Sequence, residues 1–181
     1  MDRYTPSMKV QVTTYHLEMN QPDELHPKEA AVDGFRIERV CTPSPELNRF
    51  LYVTVGYQWE WTDRLVWGTR DWTDWVDRDE LKTSVAYVKG SPAGYFELEL
   101  QAEGNVEIAF FGLFRRFIGL GLGGHLLTEA TRGAWNMGAG RVWVHTCTLD
   151  HPHALENYQA RGFTIFHKET RERDIRAVNS P

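Results

Sequence analysis

The sequence predicts an α/β or α+β protein built on a mixed sheet. Short apolar runs with partial alternation recur along the chain, as is typical of strands. Three such runs follow one another between residues 84 and 114, which predicts a β-meander. A strand, a glycine-rich turn, a helix and a further strand come next, which predicts a βαβ unit.

The first part of the chain is predicted to hold two strands and two helices. Ser44 before Pro45 is typical of a helix start, because the serine caps the helix and the proline fits its first position. The predicted elements in order are a strand over 8–19, a polar loop over 20–34, a strand over 35–40, a helix over 45–56 and a helix starting near Thr69.

The second part is predicted to complete the sheet. The helix after the glycines has apolar residues at three- and four-residue steps, which indicates one buried face. The predicted elements are strands over 84–90, 93–100 and 105–114, this helix, a strand over 141–147, a helix starting at 150–152 and a strand over 163–169. Residues 170–181 are polar and are expected to fray.

Composition indicates a single domain, residues 1–181, with residues 1–34 as an extra N-terminal strand and loop. The chain has 41% hydrophobic and 25% charged residues, which argues against disorder. Its net charge of −5 argues against nucleic-acid binding. No apolar run approaches the ~18 residues of a membrane span, and Cys41 and Cys147 lack metal-ligand spacing. We therefore expect a cytoplasmic protein with no metal and no membrane partner.

Residues 106–127 are the most informative segment, because an apolar strand leads into four glycines and then a helix. The glycines are Gly119, Gly121, Gly123 and Gly124. Glycines let backbone amides approach a ligand closely, and a helix start adds unpaired N–H groups and a positive dipole end. This combination predicts an anion-binding turn.

Three kinds of phosphate site compete for this turn. A dinucleotide fingerprint matches Gly119, Gly121 and Gly124. Such a fingerprint follows the first strand of its unit and precedes an acidic residue by about 20 positions, and this turn meets neither condition. A P-loop needs Gly-Lys-Ser/Thr, whereas His125 follows Gly124. The remaining alternative is the pyrophosphate turn of an acyl-CoA-dependent acetyltransferase.

Two blocks resemble the GNAT superfamily of N-acetyltransferases. Residues 118–123 are similar to its Arg/Gln-x-x-Gly-x-Gly/Ala motif, with Ile118 as the departure, and residues 151–163 resemble a second element ending in Tyr158, Gly162 and Phe163. The resemblance implies an α/β GNAT-type fold with a mostly antiparallel sheet and helices on both faces. It also implies acetyl-CoA as cofactor and an amine acceptor that attacks directly in a ternary complex.

The resemblance implies a set of cofactor-binding positions. The strand end before the turn would meet the pantetheine arm, and the turn would hold pyrophosphate through main-chain amides. A buried strand end and a plain helix start are the alternatives for the flanking residues. The implied residues are Phe111, Gly112, Leu113, Ile118, Gly119, Leu120, Gly121, Leu122, Gly123, Gly124 and His151.

Two residues are the candidate catalytic pair. Glu107 occupies the strand position of the family's glutamate base, and the alternative is an exposed strand residue. Tyr158 matches the family tyrosine that faces the thioester sulfur, and the alternative is a core aromatic. For the acceptor wall the candidates are Trp59, Trp61 and His145, each of which is alternatively structural.

The sequence therefore predicts an acetyl-CoA-dependent N-acetyltransferase. A non-catalytic acyl-CoA-binding sensor or scaffold is the alternative from another class, and a nucleotide-binding domain is the third. A mechanism with Cys147 as nucleophile lacks a matching histidine base. The sequence leaves the acceptor open, and it is compatible with a homodimer.

Overall fold

The computed structural model describes residues 7–176, which form seven strands and four α-helices around one sheet. The strands are β1 (Ser7–Met19), β2 (Phe35–Arg39), β3 (Leu81–Val88), β4 (Ser91–Leu100), β5 (Asn105–Leu113), β6 (Arg141–Cys147) and β7 (Thr164–Arg176). The helices are α1 (Pro45–Gly56), α2 (Thr69–Val76), α3 (Leu122–Asn136) and α4 (Ala154–Ala160).

The sheet has the strand order β2-β3-β4-β5-β6-β1-β7. All neighbouring strands pair antiparallel except β5 and β6, which are parallel and connected through α3. The helices cover both faces. Leu51 and Val55 of α1 pack with Tyr95 on one face, whereas Leu126 and Ala130 of α3 join the larger core on the other. The predicted mixed, mostly antiparallel sheet is confirmed.

A β-bulge in β5 affects which residues face the cavity. Glu97 pairs with Phe110, but the adjacent Leu98 pairs with Ile108, so Ala109 is the extra residue. An extra residue reverses the alternation of the following side chains. Phe110 therefore packs on the α1 face, the same face as Glu107 before the bulge.

Local sequence explains the helix starts. The Ser44 hydroxyl accepts a hydrogen bond from the Leu47 amide at 3.3 Å, and Pro45 is the first residue of α1, as predicted. The start of α4 was predicted too early. The Asp150 carboxylate accepts hydrogen bonds from the Thr146 hydroxyl and the Cys147 amide, so it holds the end of β6 and the helix begins four residues later.

The N-terminal strand lies inside the sheet. β1 pairs with β6 on one side and with β7 along its length on the other. The prediction that residues 170–181 fray is wrong for 170–176, which continue β7 and pair with the start of β1. Their polar composition reflects the exposure of an edge strand. Residues 177–181 lie outside the described part of the chain.

Within residues 7–176, no helix has the length and apolar character needed to cross a membrane.

Candidate active site

A cavity of about 960 Å³ opens between β5 and β6. The two strands pair only over 105–107 and 141–143. Beyond this point the ends of both strands line the cavity, together with residues from both faces of the sheet. The cavity thus connects the glycine turn before α3 with the region below α1.

The glycine turn forms one end of this cavity. Gly119 and Gly121 have φ of 85° and 79°, a backbone conformation that side chains disfavour, and a Cβ at either position would meet no atom within 4 Å. Gly121 is also the residue before the first turn of α3. The turn therefore leaves open space beside the unpaired amides of a helix start, which suits an anionic ligand.

Three side chains that sequence reasoning missed support this turn. Lys28 lies over Gly124, because a Cβ at Gly124 would stand 2.6 Å from its Cδ atom, and it lines the cavity. Arg161 is equally close to Gly124, and its buried Nε has no hydrogen-bond partner. Asn157 donates to the Gly123 carbonyl at 3.3 Å. No periodic pattern marked Lys28, which lies in the polar loop predicted over 20–34.

That loop is fixed to α3 by polar contacts. The Ala30 amide donates to His125 Nδ1 at 2.8 Å, and the Lys28 amide donates to the Thr128 hydroxyl at 2.9 Å. Glu29 lies close to His125 and Glu129, and Arg132 forms ion pairs with both glutamates. Because Ala30 occupies the His125 Nδ1 lone pair, Nε2 carries the proton of the neutral ring and faces Glu29. The ion pairs with Arg132 explain why the two glutamates lie so close together beside His125.

Glu107 lies on β5 where the cavity begins and is only 9% exposed. Gln101 donates a hydrogen bond to its Oε2 at 2.7 Å, and the same Gln101 accepts from the Trp143 indole at 3.0 Å. Two strands and a turn thus hold the carboxylate in one orientation. The alternative that Glu107 is an exposed strand residue is wrong.

His145 lies beside Glu107 on β6. Its Nδ1 is 3.3 Å from Glu107 Oε1, and its side chain is about half exposed and lines the cavity. Contact with the Glu107 carboxylate raises the pKa of His145, against the opposing effect of burial. Glu107 and His145 therefore form a coupled acid–base pair facing the cavity.

Tyr158 reaches the cavity from α4 and is 5% exposed. Its ring packs against Phe111 and Phe163. Burial, with a smaller effect from Asp150, raises the pKa of its phenol. Among the described residues its hydroxyl has no hydrogen-bond partner. Tyr158 is both part of the core and a protonated donor group at the cavity.

Aromatic residues form the wall below α1. Trp59 and Trp61 both line the cavity. The Trp59 ring packs edge-on against His151 at 5.3 Å, and the Trp61 ring packs against Tyr52 and Phe110. Trp61 also covers Gly56, where a Cβ would be 2.5 Å from it. Trp61 is thus a packing residue as well as a wall residue.

A buried polar group lies behind this wall. Glu97 is fully buried and accepts hydrogen bonds from Asn48 and the Trp75 indole at 2.8 and 2.7 Å. Burial raises the pKa of Glu97. The Arg64 guanidinium lies 3.7 Å from the centre of the Trp75 ring and also lines the cavity.

Most of the predicted site residues meet at this cavity. The exceptions are two side chains of the turn: Leu120 points to solvent and Leu122 is fully buried beside Ala93 and Phe117. The predicted residues that line it are Trp59, Trp61, Glu107, Phe111, Gly112, Leu113, Ile118, Gly119, Gly121, Gly123, Gly124, His145, His151 and Tyr158.

Comparison with protein families gives a match to the acetyltransferase (GNAT) family over residues 48–163, more than half of the chain. The chain belongs to the GNAT family. The matched region includes both the glycine turn and Tyr158. A comparison with curated protein sequences found no match.

Solved GNAT structures share the fold of this GNAT protein at low sequence identity. A GCN5-related N-acetyltransferase from Kribbella flavida is 20% identical with a TM-score of 0.65, over 92% of this chain and 60% of that one. One from Sphaerobacter thermophilus is 17% identical with a TM-score of 0.66, over 94% and 53%. This chain thus spans little more than half the length of these two proteins. An aminoglycoside acetyltransferase from an uncultured soil metagenomic sample is 16% identical, with a TM-score of 0.59 over 71% and 87%.

Proposed function

We propose that this protein is an N-acetyltransferase that moves an acetyl group from acetyl-CoA to a primary amine by direct attack in a ternary complex. The observation that supports this most is the continuous cavity, which has the glycine turn at one end and the Glu107–His145 pair farther along. Two substrates can therefore approach one point from opposite faces of the sheet. Family membership gives the general chemistry, acetyl transfer.

The residues around the turn fit the anionic portion of acetyl-CoA. The open, left-handed Gly119 and Gly121 leave room for a pyrophosphate against backbone amides, and Lys28 adds a positive charge beside them. Phe111, Gly112 and Leu113 supply the strand end along which a pantetheine arm would lie. When bound, acetyl-CoA supplies the acetyl group as an activated thioester.

The amine must lose a proton before it can attack. An alkylammonium with a pKa near 10.4 is neutral in only about one part in 10³ at pH 7, which corresponds to roughly 4–5 kcal/mol. We assign proton removal to the Glu107–His145 pair. With Nδ1 of neutral His145 directed at Glu107, Nε2 has a free lone pair. The usual pKa of histidine is already far closer to neutrality than that of glutamate, and contact with Glu107 raises the pKa of His145, which makes it a better base for an ammonium.

Tyr158 is assigned to the leaving group. As the new N–C bond forms and the C–S bond breaks, negative charge develops on sulfur and needs a donor. Burial keeps the phenol protonated at neutral pH, so Tyr158 can donate a hydrogen bond there. Cys147 does not suit a nucleophile, because burial raises the pKa of its thiol and disfavours the thiolate.

The direct test is release of free CoA from acetyl-CoA in the presence of a panel of primary amines. We expect release that depends on both the amine and the protein. Calorimetry with acetyl-CoA, and with NAD as competitor, should accompany the assay. Binding of acetyl-CoA with no release for any amine would support the non-catalytic sensor instead. Binding of NAD in preference to acetyl-CoA would overturn the cofactor assignment.

A further inference from the structure

The two ends of the cavity differ in charge. Lys28 stands at the glycine turn. Near Cys147 at the end of β6, Arg173 of β7 and the Asp150 carboxylate both line the cavity, and Asp150 is engaged by the Thr146 hydroxyl and the Cys147 amide. The region below α1 is instead lined by four carboxylates and one guanidinium. These are Glu60, Asp63, Glu99, Glu107 and Arg64.

Three of these four carboxylates are already engaged by neighbouring side chains. Asp63 accepts a hydrogen bond from the Tyr52 hydroxyl at 2.7 Å. Glu99 forms a 2.8 Å ion pair with Arg78. Glu107 is held by Gln101 and His145, as described above. Their charges are therefore largely satisfied within the protein.

The one cation of this region, Arg64, is enclosed by aromatic rings and carboxylates, and its buried Nη1 has no hydrogen-bond partner among the described residues. Its guanidinium lies 4.4 Å from the centre of the Trp67 ring and 3.7 Å from that of Trp75, so it is held between aromatic faces. Its charge interacts with the buried Glu97 carboxylate and with Asp63, whose Oδ2 is 3.8 Å away. Its one ion pair among the described side chains is with Asp63, not with Glu60.

Glu60 is left as the unmatched charge of this region. Among the side chains of residues 8–175, none forms an ion pair or a hydrogen bond with its carboxylate. It stands between Trp59 and Trp61 in sequence, and all three residues line the cavity. An aromatic wall with one free carboxylate suits an alkylammonium, which gains from both the charge and the ring faces.

We propose that Glu60 binds a second ammonium group of the acceptor, so that the acceptor is a diamine or polyamine. This inference rests on the proposed function, because the first amine is the one placed at the Glu107–His145 pair. Trp59 and Trp61 flank the alkyl chain between the two nitrogens. The opposite charge at the glycine turn keeps the anionic donor and the cationic acceptor in separate halves of the cavity.

Binding to the CoA-saturated protein tests this without relying on turnover. Calorimetry would compare α,ω-diamines of three to six carbons with monoamines of the same length. We expect the best diamine to bind about tenfold more tightly than its monoamine, which corresponds to about 1.4 kcal/mol. The preference should shrink as salt is raised, because the added contact is between charges.

Glu60→Gln should reduce this preference to about twofold or less and leave monoamine and CoA affinity unchanged. Glu103→Gln is the matched control, because Glu103 also has a positive φ, 61° against 56° for Glu60, but does not line the cavity. Equal binding of diamine and monoamine by the parent protein would overturn the proposal, as would an undiminished preference in Glu60→Gln. A diamine preference lost in Glu60→Gln, but with no CoA release from acetyl-CoA, would support the Glu60 site and contradict the transferase function.

Discussion

Glu107 is the residue on which the proposed chemistry depends most, and its surroundings explain why. It is held by Gln101 on one oxygen and faces His145 with the other. Neither contact is visible as a motif. The glutamate itself was a candidate only through the resemblance to the GNAT family. Its two partners lie elsewhere in the sequence, Gln101 six residues earlier in a turn and His145 on a different strand.

Removing the Glu107 carboxylate should slow catalysis. Glu107→Gln keeps the shape and a hydrogen-bonding group but leaves His145 without its anionic partner, so we expect kcat to fall by roughly 10²–10³. The loss should be smaller at high pH, where the amine sheds its proton unaided. Steady-state rates from pH 6 to 10 check this, with acetyl-CoA affinity as the control. Parent-like rates across this range would contradict the assignment.

Tyr158→Phe removes only the hydroxyl. Because the ring packs against Phe111 and Phe163, the core should be retained and the melting temperature nearly unchanged. We expect a fall in kcat of about tenfold or more, smallest for an activated thioester whose thiolate leaves easily. Comparing acetyl-CoA with such a thioester measures the effect. An equal loss for both donors would argue against a role at sulfur.

The raised pKa of His145 has a consequence for stability. A folded-state pKa above the unfolded value means that the protonated ring stabilises the fold below about pH 6.5 and that this contribution is lost as the pH rises through the folded-state pKa. His145→Gln should therefore lower the free energy of unfolding at pH 5.5, by about 1 kcal/mol or less because the ring is half exposed, and have little effect at pH 9. Urea denaturation of the parent protein and of His145→Gln at the two pH values measures this difference in the free energy of unfolding. A larger loss at pH 9 would contradict the pairing.

Among the elements, the turn before α3 shows most directly how a sequence determines a site. Gly119 and Gly121 were predicted to lie open to a ligand, and their positive φ and free surroundings agree with that interpretation. Two features of the turn could not be predicted. The loop of residues 20–34 has no periodicity, so its packing on α3 and the position of Lys28 follow only from tertiary contacts.

A charge placed in this turn should weaken cofactor binding. Gly121→Asp adds a side chain and a negative charge where the pyrophosphate is proposed to lie, so acetyl-CoA affinity should fall by several kcal/mol. Gly138→Asp is the matched control, since Gly138 has a φ of 84°, also meets no neighbour within 4 Å, and does not line the cavity. Calorimetry on both folded variants checks this. Equal affinity in the two variants would remove the turn from the cofactor site.

At the scale of the whole molecule, β1 joins the two ends of the described chain. Its strand character could be predicted from alternation, but its position between β6 and β7 could not, because alternation shows which side chains share a face and not which strand is the neighbour. The incorrect prediction for residues 170–176 has a related cause. A polar edge strand and a frayed tail have similar compositions, so composition does not show that these residues pair with β1.

Because β1 lies between two other strands, substitutions in its buried face should have a large effect on stability. Leu17 is fully buried in the main core, so Leu17→Ala should lower the free energy of unfolding by about 2–5 kcal/mol. Met8, near the other end of β1, is 57% exposed, and Met8→Ala should change it by less than about 0.5 kcal/mol. Urea denaturation measures both. If both substitutions lowered the free energy of unfolding by similarly small amounts, β1 would contribute little to the stability of the fold.

The same position has a consequence for the order of folding. Met19 pairs with Val142, so 123 residues must be added before β1 can meet its first partner. At typical rates of synthesis this takes roughly ten seconds, during which an amphipathic strand has no sheet to join. Pairing between such distant segments also slows folding of the finished chain. Of the seven strands of this sheet, β1 is made first, yet it depends on β6 and β7, which are made after the other four.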